Sequence, residues 1–357
     1  MKKERDSNLE LLRIVSIFNI LLAHYFTIGG ALGAAPDGSV NQIWFCLVGS
    51  ISACSVNTFI AISGYYLCEV NVRDTKKVFL LAMQVIIYQE IGNTIYYFAM
   101  QKEVSVKYII SWLIPNNYYF ILYAALFLIS PYINVVINHI SRRVFQNLLI
   151  IMFCVFSVWN TFGDILEGIT GYEWIGLSTV GAYGTQQGYT IVNFVICYLM
   201  GAFIRKNRER LSGKSREVRI ALSVVMVILL LWGYLDSVFW GTTGMTAWRY
   251  NNPFVIMESG ILVMLFMQKR MGTQKRINVI ASKTFSIFLT QVWFWAFIDT
   301  KSYSKGGLAL LIVHMAGTAC SLMIIGIITG TIYNFTFLKA INTLLKKTEF
   351  YKIRTNE

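Results

Sequence analysis

Apolar residues occur along this chain in stretches of about twenty, parted by short polar connections, from end to end. A helix of that length crosses a bilayer core of roughly 30 Å. The pattern predicts about ten spans, at 11–31, 43–68, 78–99, 118–138, 146–162, 187–204, 217–235, 253–269, 283–299 and 308–332. The stretch "SVKYIISWLI", ahead of the fourth span, reads as an interfacial helix. "NNPF" (251–254) predicts a helix start, with Asn252 as N-cap and Pro253 at the first helical position. Pro131, in "LISPYIN", falls late in the fourth span and predicts a kink there.

Composition agrees with that pattern. The 357 residues are 56% hydrophobic and 14% charged, whereas a soluble domain carries about a quarter charged residues. The fold class expected is therefore all-α, a polytopic transmembrane helical bundle. The spans leave no stretch for a soluble catalytic domain, so the chemistry belongs to the bundle, 1–337. Residues 338–357 form a short basic tail, and the apolar N-terminal segment, too long for a signal sequence, is retained as the first helix.

The formal charge of +13 changes the picture only by its distribution. With the N-terminus inside, twenty-five Lys and Arg fall in the cytoplasmic pieces 1–10, 69–77, 139–145, 205–219, 269–283 and 333–357, against five in the outer loops. That is a strong positive-inside bias, and it places both termini in the cytoplasm of a cell membrane. It accounts for the basicity without nucleic acid, and membrane lipid headgroups are natural partners of such a surface. The six cysteines lie in or at the ends of spans and form no CxxC pair, so neither a disulfide nor a metal site is expected. Two outer loops, 163–187 and 236–252, are rich in Gly and aromatics; they suit interfacial anchoring, and also carbohydrate, on whose faces flat rings stack.

Ionisable groups inside a bilayer are costly, and the candidates that need a partner or a task are Arg13, His24, Glu90, Glu258 and His314. Eleven helical steps separate Arg13 from His24, which is about 16 Å along the axis and three turns plus roughly 20°. The two share one face. Arg13, close to the inner boundary, has two readings: a side chain snorkelling to headgroups, or a fixed charge at the mouth of a polar cavity. His24 is too deep to snorkel and marks a cavity. Glu90 and Glu258 each pair with a buried base or hydrogen-bond in protonated form, while His314, alone on an apolar helix, reads as packing and His139 as part of the topology signal. A histidine near neutral pH is the usual general base. A donor bound through phosphates at the inner face, with an arm reaching about 15–20 Å inward, fits the Arg13–His24 spacing. Acyl-coenzyme A has that shape.

At this point the sequence resembles the bacterial membrane acyltransferase-3 family over nearly its whole length. Arg13, ten residues and His24 resemble that family's first-helix signature. "FIAISGYYL" (59–67) is similar to its Phe-x-x-Ser-Gly-aromatic segment, and Arg73 with Lys76 resembles an Arg-x-x-Arg motif with lysine in second place. "NNYYFILYAALFLISPYIN" (116–134), "YNNPF" (250–254) and "ASKTFSIFLTQ" (281–291) resemble its aromatic fourth helix and late segments. One departure matters: the late segment usually ends in histidine, where this chain has Gln291, which cannot titrate.

The resemblance implies a membrane O-acyltransferase, in most members an O-acetyltransferase. It would carry an acyl group from cytosolic acetyl-coenzyme A to a hydroxyl of an extracytoplasmic polysaccharide or its lipid-linked precursor. Coenzyme A is then a substrate, and no cofactor is expected. Arg13, Arg73 and Lys76 are the expected donor-binding residues, with Lys77 crowding the same short loop. His24 is expected as base or acyl relay, and Ser63, Glu90 and Gln291 as candidate cavity-lining groups. Transfer would occur in the bundle or with a separate extracytoplasmic partner. The alternative is a multi-pass transporter or flippase of a polar or glycolipid substrate, for which the His24 face would be a substrate or proton path; no internal repeat supports it.

Overall fold

The computed structural model describes residues 6–101, 105–239 and 246–355; the charged start of the chain, Lys102 and the middle of the 236–252 loop lie outside them. Helix occupies all ten places the hydrophobic pattern marks. Among the described residues, seven helical stretches are long and apolar enough to cross a membrane: Ser7–Ala34, Val40–Leu67, Thr75–Ala99, Tyr118–His139, Arg142–Thr170, Ser215–Phe239 and Leu308–Leu344. The other three places hold shorter helices, Ile191–Lys206, Pro253–Met267 and Thr284–Gln291. After Thr290 the last of these tightens: the amides of Trp293 and Phe294 reach back only three residues, to Thr290 and Gln291. The expected span 283–299 is therefore not one continuous helix.

Local signals explain several boundaries. Asn252 caps the helix begun by Pro253, accepting from the Phe254 amide at 2.9 Å. Pro131 lies inside Tyr118–His139 and has no amide hydrogen for the Phe127 carbonyl. The Ser130 hydroxyl donates to that carbonyl instead, at 2.8 Å. The Arg142–Thr170 stretch contains a π-helical turn, Cys154–Val158, and there the Ser157 hydroxyl donates to the Asn251 carbonyl at 2.6 Å.

The loops that the charge count groups together gather at one end of the bundle. Ser7 meets Gly272, Gln274 and Asn278 there, Arg205 pairs with Glu69, and Lys206 donates to the Ile137 carbonyl. The segment expected as a tail returns to this basic end. After the helix Phe337–Leu344, the strand Lys352–Arg354 pairs antiparallel with Val72–Asp74, placing Ile353 opposite Arg73. At the far end, the buried Asp164 joins Arg249, Thr185 and Asn251, at 2.5, 2.8 and 3.0 Å.

The helices Ser55–Leu67 and Ile191–Lys206 lie backbone against backbone. A Cβ on Gly64 would meet the Tyr198 carbonyl and one on Gly201 the Ala61 carbonyl, so neither neighbour has a flexible side chain to yield. Gly201→Val is expected to lower the melting temperature in detergent sharply and reduce folded yield, since overpacking typically costs about 1–3 kcal/mol and here meets main chain. Gly168→Ala, where nothing lies within 4 Å of the added methyl, should leave the melting temperature unchanged. Equal behaviour of the two variants would refute the close approach.

Candidate active site

The first helix, Ser7–Phe26, carries both ends of the site. Near its start Glu10 and Arg13 lie three residues apart, hence on one face. The Glu10 carboxylate accepts from Arg13 Nη1 at 3.0 Å through both oxygens, and the guanidinium stands 5.8 Å from the Tyr66 ring centre. Arg13 is thus held at the wall of a cavity of about 310 Å³ rather than splayed toward the bundle edge. Ser63, Tyr66, Lys77, Tyr119 and Phe288 also line that cavity. Lys77 lies in the first turn of Thr75–Ala99, its ammonium 4.7 Å from the Phe127 ring and 3.4 Å from the Tyr123 hydroxyl. One end of the cavity is therefore cationic, and the rest is largely aromatic and aliphatic.

Arg73 is elsewhere. It is 1% exposed and absent from the cavity wall. Its Nε donates to Ser130 Oγ at 2.9 Å, Nη1 to the Val70 and Val72 carbonyls, and Nη2 to the Leu67 carbonyl. Asn134 Nδ2 donates to the same Leu67 and Val70 carbonyls, and the Tyr198 hydroxyl holds its Oδ1 at 2.8 Å. The guanidinium thus closes the C-terminal end of Ser55–Leu67, whose last carbonyls have no helical partners. Lys76 is partly exposed, and its backbone amide is taken by Asp74; its side chain does not line the cavity. Of the three expected donor-binding residues, the structure brings only Arg13 to the cavity and adds Lys77.

His24 lies one helical turn beyond Ile20, which lines the cavity, and its ring centre is 6.4 Å from that of Phe288. Its Nδ1 is 2.9 Å from Gln291 Oε1. The same oxygen receives the Trp295 indole N–H at 3.3 Å. The neighbouring Tyr25 hydroxyl meets His314 Nδ1 at 2.7 Å, and His314 stacks on Tyr303 with ring centres 3.6 Å apart. His314 therefore packs, as its isolation on an apolar helix predicts. Ser63 reaches the cavity while donating to the Phe59 carbonyl. Glu90 and Glu258 stay outside it; Glu258 is 1% exposed.

A fixed cation, an aromatic-walled channel and an imidazole beyond its inner end recur in one chain with the ordered motifs of the sequence. A family model described as an acyltransferase domain matches residues 6–333. The chain belongs to the acyltransferase-3 family. Comparison with curated proteins and with solved structures gave no match.

In this membrane acyltransferase several residues escaped the reading by sequence. Glu10, three positions before Arg13, carried an available helical-spacing signal. Tyr66, Tyr119 and Phe288 sit inside quoted motifs but look like ordinary apolar helix residues. Trp295 carried no signal, because its role depends on where Gln291 points.

Proposed function

We propose that this acyltransferase moves an acetyl group from acetyl-coenzyme A, bound at the basic end, to a hydroxyl of an extracytoplasmic cell-surface glycan or its lipid-linked precursor. The observation that carries the proposal is the cavity reaching from Arg13 and Lys77 to Phe288, with His24 just past it. Arg13 and Lys77 hold the donor phosphates, the pantetheine arm lies among Ile17, Ile20 and the aromatic rings, and the thioester passes Phe288 toward His24. The axial separation of Arg13 and His24, about 16 Å, matches such an arm. His24 takes the proton of the acceptor hydroxyl while that oxygen bonds to the thioester carbon. The C–S bond then breaks, and coenzyme A leaves with its thiol reprotonated.

Purified full-length protein should release coenzyme A from acetyl-coenzyme A when supplied with membrane glycan precursors. Cells lacking the gene should carry less O-acetyl on their surface polysaccharide. Unchanged acetyl content together with no coenzyme A release would overturn the proposal.

A further inference from the structure

The Gln291 amide faces two nitrogens through one oxygen. Trp295 Nε1–H can only donate, so the atom it meets at 3.3 Å must be the Gln291 oxygen. The amide cannot be turned over without setting its NH2 against the indole N–H. With the oxygen so placed, His24 Nδ1 at 2.9 Å must carry the proton, because a carbonyl oxygen only accepts. The orientation has a cost. Gln291 is fully buried, and among the described residues its amide nitrogen finds no acceptor, which leaves the desolvation of that donor uncompensated. A structure that tolerates this orphan has its amide fixed by the two donors.

We infer that Gln291, held by Trp295, is a positioning residue that keeps His24 in the Nδ1–H tautomer, with the Nε2 lone pair free to accept a proton. This rests on the proposed acetyl transfer for its use, and on the Trp295–Gln291–His24 geometry for its existence. The arrangement assigns to a neutral amide the orienting task that a carboxylate performs in a Ser-His-Asp triad. Glutamine at 291 therefore does not supply a second titrating group; it fixes the one that His24 provides. Trp295 belongs to the device although it is two steps from the reacting atoms, since without its N–H the amide is free to turn over.

Nitrogen-15 spectra of the full-length protein labelled at histidine test the tautomer independently of any activity. The chain has three histidines, and His139→Gln and His314→Gln assign the remaining signals. His24 should show a protonated Nδ1 and an unprotonated Nε2, the form that an unconstrained histidine populates less. Gln291→Met, which keeps the size and removes the acceptor, should convert this to a tautomer mixture, whereas Gln291→Glu should retain the Nδ1–H form. Trp295→Phe should give a mixture. A wild-type protein with Nε2–H at His24, or a Gln291→Met spectrum unchanged from wild type, would overturn the inference.

Kinetics separate this from the functional reading. Coenzyme A release should fall several-fold in Gln291→Met, in proportion to the His24 population lost from the Nδ1–H form and well short of the loss expected on removing the base itself, and recover in Gln291→Glu. The thermal shift produced by acetyl-coenzyme A should match wild type in both variants, which also reports that they fold. A wild-type protein with the Nδ1–H tautomer and no coenzyme A release would sink the acetyl-transfer reading and leave the tautomer assignment standing. A Gln291→Met enzyme with wild-type turnover would sink the positioning role and leave the transfer standing.

Discussion

Replacing His24 with glutamine is expected to lower coenzyme A release by at least about a hundredfold while acetyl-coenzyme A still binds. Glutamine keeps a similar size and polar atoms at the place where His24 meets Gln291, but it has no basic ring nitrogen to take the proton of the acceptor hydroxyl. With the donor phosphates proposed at the other end of the cavity, some three helical turns away, their contacts survive the change. A rate loss with unchanged donor affinity is the signature of a group that acts during the chemical step. Near-normal acetyl transfer by His24→Gln would reject the base assignment and return the residue to a packing role. Arg13→Lys should show the reverse pattern, a weaker donor and a modest change in maximal rate, because lysine lacks the planar fork.

The second large effect separates Arg73 from Lys77, four residues apart, the first in the strand Val72–Asp74 and the second in the first turn of Thr75–Ala99. Arg73→Met is expected to destabilise the folded protein by about 3 kcal/mol or more. It removes four hydrogen bonds from a buried charged group, each typically worth about 1.5–3 kcal/mol. Asn134 still serves two of the abandoned carbonyls, which keeps the loss below the simple sum. Arg73→Lys should fare little better, since one ammonium cannot reach carbonyls on both sides of the turn and Ser130 together. Lys77→Met should leave the melting temperature nearly unchanged and raise the apparent donor Michaelis constant about tenfold, the loss of one charge-assisted phosphate contact. Melting curves in detergent and donor titrations measure both. A stable Arg73→Met with a raised donor constant would restore Arg73 as a phosphate ligand.

Much of the architecture was legible in the hydrophobic pattern, because a membrane helix is specified locally by length and apolarity. The placements of Pro253 and Asn252 followed from equally local rules. The last expected span was not legible: its sequence is mostly apolar between Lys283 and Asp299, yet its backbone tightens after Thr290. The basic segment 73–77 was misleading in a different way. Three cations in five residues look alike in sequence, and the pattern gave no sign that Arg73 is buried while Lys77 reaches a cavity.

The sequence by itself determined that Arg13 and His24 share a face about 16 Å apart, since a helix's pitch fixes the relative position of any two of its residues. It also determined that the basic loops fall together at one end. Only the tertiary structure decided what those residues touch. Gln291 comes to His24 from 267 positions along the chain, and Arg73 is spent on carbonyls freed where Ser55–Leu67 ends and on a serine beside a helix-interior proline. Such contacts depend on how separate helices pack, which helical periodicity does not encode. Burial then sets whether a cation serves as internal cap or as ligand for a phosphate.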